Sequence, residues 1–269
     1  MTAQKTAVIA TDLTDAARPA AEWARRYAEA EGARIVVVHV IDLSVSHWLE
    51  GVFNYVEAPE RKEQSEEVVR TWYREVTGTE PDALSVRAGA PTLQIAEAVK
   101  AHDAGLLIIA RSGRRPLQRA LLGSTAKGLA IDPPCELVIV HPHHDRPDVR
   151  DIVVGTDFSA NGDRALSVAA AVAHHYGARL HLVHAEEYPR VNALESPYGW
   201  TIPEEYRRKD SLGEASARMQ SLEQQHAREL EGIRYDTLVV QGPPDAALIE
   251  CCQENRSDLL VIGRAGHSP

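Results

Sequence analysis

The chain has 269 residues, a mass of 29.5 kDa and a formal net charge of -10. That length favours two domains of ordinary size, and a composition of 44% hydrophobic and 25% charged residues excludes a disordered chain. Because general binding to nucleic acid or to an anionic membrane needs a basic face, we expect a cytoplasmic globular protein with no nucleic-acid partner and no membrane insertion.

Strands and helices alternate in the predicted elements of the first half of the chain. A continuous apolar run at residues 7–11 is typical of a parallel strand covered on both faces. A helix follows in which Ala16, Ala20, Ala24 and Ala28 form a small-residue stripe, and Gly32 would cap it. Further strands are predicted at residues 34–40, 83–88, 105–110 and 136–141, and further helices at residues 58–77, 91–103 and 123–131. This order predicts a parallel, doubly wound sheet with a ligand crevice at the carboxyl ends of its strands.

The second half of the chain repeats the first. Residues shifted by 145 match from the first strand through the first helix to the second strand, and Thr11 and Asp12 fall on Thr156 and Asp157. A shift of 153 then aligns the segment beginning GAPTLQIAEAV with the segment beginning GPPDAALIECC. The chain is therefore interpreted as a tandem duplication, with domains at residues 1–142 and 149–269 joined by a short connector.

The second repeat ends soon after its strand at residues 258–263. The residues that would correspond to 114–141 are almost wholly missing from it, so a sheet of four strands is expected where the first domain has five. A charge-rich helix is predicted at residues 204–231, as the counterpart of the helix at 58–77. An unpaired fourth strand would be an exposed edge that favours association.

The segment ARSGRRPLQRALLGST at residues 110–125 suggests a phosphate site. Gly123 and Ser124 stand at a helix start, where free backbone N–H groups and the helix dipole favour an anion. The hydroxyls of Ser124 and Thr125 could add hydrogen bonds, and three arginines of the loop, Arg114, Arg115 and Arg119, could neutralise charge. Spacing alone leaves open an ordinary helix start with solvated arginines.

This segment resembles the ATP-binding signature of the universal stress protein family, which reads G-x2-G, nine residues, then G-[ST]. The resemblance extends to VIATDLTDAA, IVVGTDFSANGDRAL, VVHVID and LVHAEE, and so spans the chain twice. It implies an adenine-nucleotide alpha hydrolase-like fold with a five-stranded sheet in the order 3-2-1-4-5. It also implies pairing of domains, either within one chain or in a homodimer.

The same resemblance implies an ATP site in the first domain. Asp12 would lie near the ribose, and the backbone around Ala10 and Val40 would lie at the adenine. Four residues of the signature would bind the phosphates: Gly113, Gly123, Ser124 and Thr125. Ala110 replaces the first glycine of the signature, which places a methyl group where the backbone should pass close to the ligand. In the second domain Asp157, Gly263 and Gly266 match, but the G-[ST] step is missing, so no complete site is expected there.

Three functions remain open at this point. The first is a stress-response or regulatory protein that binds ATP, with or without Mg2+, and thereby controls an unidentified protein partner. The second is a scaffold of the same fold that binds no nucleotide, and the third is a slow ATP hydrolase that uses Asp12. No Walker motif, GxGxxG loop or catalytic triad is legible, so we expect no catalytic residues and no more than weak ATPase activity.

Other clusters have a structural and a functional interpretation. HPHHD at residues 141–145 is a flexible metal-binding tract or a solvated linker, and no metal site is predicted from it. Trp48, Phe53 and Tyr55 could cover a base or pack under a loop, whereas His39 and His184 are expected to be packed, hydrogen-bonded side chains. The three cysteines show no CxxC spacing and are expected to be reduced.

Overall fold

The computed structural model describes residues 5–42, 59–111, 123–141, 149–186 and 204–264, with the backbone alone for residues 59–61 and 204–211. It divides the chain into two units, Met1–Asp145 and Arg146–Pro269. Each unit is a parallel sheet with helices packed on both faces.

Unit 1 contains five strands and four α-helices among its described residues. In chain order these are β1 (Thr6–Thr11), α1 (Arg18–Glu31), β2 (Arg34–Asp42), α2 (Pro59–Thr77), β3 (Ala83–Gly89), α3 (Pro91–Ala101), β4 (Leu106–Ala110), α4 (Ser124–Ile131) and β5 (Glu136–Val140). The sheet order is β3-β2-β1-β4-β5 with every pair parallel. The predicted order 3-2-1-4-5 is therefore confirmed.

Apolar side chains on both faces of the central strands explain this architecture. Ala7 and Ile9 of β1 pack under α1 and α2, and Val8 and Ala10 pack under α3 and α4. Alternate residues of a strand point to opposite faces, so a strand without polar interruptions needs helices on both sides. The crossover helices thus bring the carboxyl ends of all five strands to one edge of the sheet.

The alanines that the first helix buries are not all those of the stripe that the sequence predicts. A short 3-10 turn at Asp15–Ala17 precedes α1, and the fully buried alanines are Ala17, Ala20, Ala21 and Ala24. The turn shifts the buried face, so that Ala16 and Ala28 are only partly buried. Gly32 ends the helix in the left-handed conformation with φ of 62°, as expected for a C-cap glycine.

Unit 2 contains four strands and four α-helices among its described residues. They are β6 (Asp151–Gly155), α5 (Ala160–Tyr176), β7 (Arg179–Glu186), α6 (Glu204–Gln225), α7 (Ala227–Leu230), β8 (Tyr235–Gln241), α8 (Pro244–Glu254) and β9 (Leu259–Ile262). The parallel sheet has the order β8-β7-β6-β9, which matches β3-β2-β1-β4 of unit 1. Within the described residues, one edge of β9 has no partner strand.

The charge-rich helix predicted at residues 204–231 is interrupted. Helix α6 ends at Gln225, and α7 begins at Ala227 after His226. His226 is buried, its ring lies 3.2 Å from the Glu229 carboxylate, and its carbonyl accepts from the Glu229 N–H in a tighter turn. The break at His226 therefore divides the predicted helix into a long and a short segment. Among the described residues, no helix is long and apolar enough to cross a membrane.

Candidate functional site

The strand ends of unit 1 bring four of the predicted site residues to one edge of the sheet. Ala10 lies near the end of β1 and pairs with Val38 of β2 and with Ile109 of β4. Ala10 and Val40 pack into the same apolar cluster, on the face covered by α3 and α4. Ala110 is the last residue of β4, and Asp12 follows β1 directly.

Asp12 belongs to a tight turn that its own side chain stabilises. One carboxylate oxygen, Oδ1, accepts from the Thr14 backbone N–H at 3.1 Å and from the Thr14 hydroxyl at 2.7 Å. The Leu13 N–H donates to Thr11 Oγ1 at 3.0 Å, and Leu13 has a φ of 62°, which a branched side chain rarely adopts. Oδ2 of Asp12 has no hydrogen-bond partner among the described residues. The turn therefore fixes Asp12 while leaving one carboxylate oxygen available to a ligand.

His39 supports the same turn from the neighbouring strand. Its ring Nδ1 donates to the Thr11 carbonyl at 2.9 Å, which ties the end of β1 to β2. In unit 2 His184 makes the same bond to the Thr156 carbonyl at 2.8 Å and is buried. Both histidines are hydrogen-bonded side chains of the sheet, as the sequence predicts.

The methyl group of Ala110 lies on the other face of the sheet from Ala10. It packs against the cluster beneath α1 and α2, whereas Ala10 belongs to the cluster beneath α3 and α4. Gly263 occupies the equivalent position in unit 2, and a Cβ added there would come within 2.9 Å of the backbone of Asn161, at the start of α5. The Ala110 side chain is thus directed towards the first helix and not towards the side where Ala10 and Val40 lie.

Helix α4 presents the second half of the predicted site. Gly123 is its N-cap, with φ of -59°, and no side chain caps the helix start. The Gly123 N–H donates to the Arg111 carbonyl at 2.9 Å, which brings the start of α4 back to the end of β4. Ser124 is exposed and Thr125 half-buried in the first turn of this helix. Gly113 and the loop arginines lie outside the described residues.

Unit 2 repeats the turn but not the rest of the site. Asp157 Oδ1 accepts from the N–H and hydroxyl of Ser159, and Phe158, with φ of 59°, repeats the conformation of Leu13. At the position of Ala10 stands Gly155, where an added Cβ would lie 3.0 Å from the side chains of Leu248 and Ile262. No counterpart of α4 is found among the described residues of unit 2.

The strand ends of unit 2 carry a polar cluster that unit 1 lacks. His184 Nε2 lies 2.9 Å from Glu186 Oε2, where unit 1 has Ile41. The centre of the Phe158 ring lies 4.3 Å from the centre of the His184 ring and 4.3 Å from the Arg218 guanidinium carbon. The second contact is a cation–π interaction that joins α6 to the turn after β6.

Sequence reasoning missed the role of the threonines at the ends of β1 and β6. Thr11 and Thr156 hold the residue two positions later in the left-handed conformation, and the signal is the repeated phrase T-D-x-[ST]. No cluster of three or more metal-ligating side chains is found within the described residues. Four of the five residues of HPHHD, and the aromatic residues Trp48, Phe53 and Tyr55, lie outside that part of the chain.

Comparison with known proteins identifies the family. The profile of the universal stress protein family matches residues 4–141 and again residues 148–269. The chain belongs to the universal stress protein family. The two matches agree with the duplication seen in the sequence and with the two sheets of equivalent topology.

Relatives of this universal stress protein match either the whole chain or about half of it. A universal stress protein of Mycobacterium tuberculosis is 25% identical over 281 residues, covering 96% of this chain and 86% of the relative. One from Thermus aquaticus is 29% identical over 136 residues, covering 51% of this chain and 98% of its own. The crystal structure of a universal stress protein from Archaeoglobus fulgidus has a TM-score of 0.66 at 22% identity, covering 95% of this chain and 85% of that one, and shows the common fold.

Proposed function

We propose that unit 1 of this universal stress protein binds ATP and acts as a nucleotide-controlled stress-response or regulatory protein. The observation that carries the proposal is the start of α4. It has no side-chain cap, it is bonded back to the end of β4, and its helix packs on the face that holds Ala10 and Val40. Free N–H groups at a helix start bind phosphate, because the helix dipole and the donors act together.

The residues of unit 1 fit the parts of ATP. The phosphates would meet the backbone of Gly123 and the hydroxyls of Ser124 and Thr125, together with the signature residue Gly113. Asp12 would accept hydrogen bonds from the ribose hydroxyls through its unpartnered oxygen, or bind Mg2+, which prefers oxygen ligands. The backbone around Ala10 and Val40, at the ends of β1 and β2, would meet the adenine.

The orientation of Ala110 bears on the alternative that the protein is a scaffold without a nucleotide. That alternative relied on a methyl group standing in the path of the ligand. The methyl group instead packs beneath α1, on the face of the sheet opposite to Ala10 and Val40. We therefore favour ATP binding over the scaffold, and ligand-dependent partner choice over catalysis.

Calorimetric titration of the full chain with ATP and Mg2+ tests the proposal. We expect one ATP per chain, and a loss of about tenfold or more in affinity in Asp12→Ala, because hydrogen bonds to charged groups contribute about 1.5–3 kcal/mol. Gly123→Val should also weaken binding by blocking the helix start, and the φ of -59° at this position allows a side chain without backbone strain.

The matched control is Asp157→Ala, which removes the equivalent carboxylate from unit 2. It should leave ATP affinity unchanged. Absence of binding at millimolar ATP, or equal weakening by Asp12→Ala and Asp157→Ala, would remove the proposal and leave the scaffold. Steady phosphate release that Asp12→Ala abolishes would instead identify a hydrolase.

A further inference from the structure

The amino edge of the sheet in unit 2, opposite the strand ends discussed above, carries a row of arginines. Arg150 precedes β6, Arg179 begins β7 and Arg234 precedes β8. The Arg179 N–H donates to the Arg150 carbonyl at 2.8 Å, and the Leu180 N–H donates to the Arg234 carbonyl at 3.0 Å. The three residues therefore lie at the amino ends of three neighbouring strands, and neighbouring strands of a sheet are about 4.8 Å apart.

These arginines line one surface cavity. The cavity has a volume of about 330 Å3 and is bounded by Arg150, Asp151, Tyr176, Gly177, Arg179 and Arg234. All three arginines are exposed, and the Arg179 side chain is 51% accessible to solvent. Three cations around one cavity are unexpected in a chain with a net charge of -10, because like charges side by side at strand ends repel each other.

The carboxylates of this edge are bonded within the protein. The buried ring of His181 lies 2.9 Å from Asp236 Oδ1 and 3.3 Å from Asp151 Oδ1. The other oxygen of Asp236 lies 2.9 Å from the Arg179 guanidinium. Arg234 has no carboxylate partner among the described residues. The Arg234 guanidinium is therefore the member of the row that forms no ion pair with a described carboxylate.

Unit 1 provides an internal comparison for the same edge. Lys5 and Arg34 stand at the positions of Arg150 and Arg179, but Lys5 is paired with Glu31. In unit 2 the position of Glu31 is held by Tyr176, which carries no charge, and Arg234 replaces Pro81. Unit 2 therefore has one more cation than unit 1 among the residues that line the cavity, and it has Asp151 and Asp236 where unit 1 has Thr6 and Ala83.

We propose that this cavity binds a small ligand with two linked phosphate groups. Guanidinium groups recognise phosphate through paired N–H donors, and cations on neighbouring strands could each meet one phosphate. The Tyr176 ring beside them could pack against an organic part of such a ligand. The site lies at the amino ends of the strands, and is thus separate from the proposed ATP site of unit 1.

Calorimetric titration of the full chain with inorganic pyrophosphate tests the proposal. We expect one pyrophosphate per chain at this site. Arg234→Gln should weaken binding by about tenfold, which corresponds to the loss of one charge-assisted hydrogen bond. Arg234→Lys keeps the charge but not the planar pair of donors and should give an intermediate affinity.

Two control variants show whether pyrophosphate binding depends on this cavity. Arg228→Gln removes an exposed arginine of α7 that does not line the cavity, and should leave pyrophosphate binding unchanged. Gly123→Val removes any pyrophosphate bound at the proposed ATP site of unit 1, and the pyrophosphate binding that depends on Arg234 should remain in this variant. Undetectable pyrophosphate binding, equal weakening by Arg228→Gln and Arg234→Gln, or loss in Gly123→Val alone would overturn the proposal. Thermal unfolding of each variant confirms that it is folded.

Discussion

Thr11 controls the geometry of the candidate site although it touches no ligand in our proposal. Its hydroxyl accepts the N–H of Leu13, and that bond holds Leu13 at a φ of 62° and places Asp12 at the end of β1. Thr156 does the same for Phe158 in unit 2. Residues held in rare backbone conformations cost about 1–3 kcal/mol and persist only where their surroundings enforce them.

Replacing Thr11 by Val keeps the shape of the side chain but leaves the Leu13 N–H without an acceptor. We expect the free energy of unfolding to fall by about 1–2 kcal/mol, measured by urea denaturation. Thr156→Val should cost a similar amount. Only Thr11→Val should weaken ATP binding, because only unit 1 is proposed to hold the nucleotide; a parallel loss of ATP affinity in Thr156→Val would argue against that assignment.

Cys251 is buried, and Cys135 and Cys252 are partly buried. Burial raises the pKa of Cys135 and of Cys252 to about 11, and it also raises the pKa of Cys251. Because the thiolate is the reactive form, these thiols stay protonated through neutral pH. A raised pKa also means that folding loses stability as the pH rises above the pKa of an unfolded thiol, about 8.5.

Thiol titration with an aromatic disulfide reagent at pH 8 measures this protection. We expect the native protein to react about two orders of magnitude more slowly than free cysteine, since the thiolate fraction falls about tenfold for each unit of pKa. The rate should rise as the pH approaches 10. A native protein that reacts as fast as its urea-unfolded form at pH 8 would contradict this account of the cysteines.

At the scale of elements, the two units pack their first helix differently against the fourth strand. In unit 2 the start of α5 lies so close to Gly263 that an added Cβ would be 2.9 Å from the Asn161 carbonyl carbon. In unit 1 the equivalent residue, Ala110, carries a methyl group and packs beneath α1. The same repeat position therefore needs glycine in one unit and accepts alanine in the other.

Gly263→Ala should reduce the free energy of unfolding by about 1–3 kcal/mol, because backbone atoms of Asn161 would have to move. The reciprocal change, Ala110→Gly, should cost about 1 kcal/mol or less and leave ATP affinity unchanged within about twofold. Urea denaturation and calorimetry measure both quantities. An increase of ATP affinity by tenfold in Ala110→Gly would show that the methyl group does obstruct the ligand.

The sequence predicted well those helices and strands that are marked by residues within or next to the element itself. Continuous apolar runs located the strands, and Gly32 and Gly177 ended α1 and α5 in the left-handed conformation. Errors arose where packing decides. The 3-10 turn at Asp15–Ala17 changed which alanines are buried, and the buried His226 divided a segment that reads as one helix.

The candidate site was predictable only in part for the same reason. The repeated Asp12 and Asp157 and the glycine of α4 stand out in the sequence. The direction of the Ala110 methyl group depends on which face of β4 it occupies, and the arginine row depends on strand order, so neither could be predicted from spacing. The packing of Ala110 against the cluster beneath α1 shows the first, and the order β8-β7-β6 of unit 2 shows the second.

At the scale of the whole molecule, duplication gave two equivalent sheets whose sites then diverged. Unit 1 combines the Asp12 turn with the uncapped start of α4. Unit 2 has the same turn, and Leu248 and Ile262 pack closely against Gly155, which stands at the position of Ala10. It also carries a row of arginines at the opposite edge of its sheet. Our two proposals accordingly assign ATP to unit 1 and a ligand with two linked phosphate groups to unit 2.

Hydrogen exchange of the full chain with and without ATP and Mg2+, resolved by mass spectrometry, tests this division most directly. We predict slower exchange on ATP binding at residues 12–14 and 123–127 of unit 1, with no change at residues 157–159, the equivalent turn of unit 2. Protection of residues 157–159, or no protection at the start of α4 under conditions where ATP binds, would contradict the assignment of the nucleotide to unit 1.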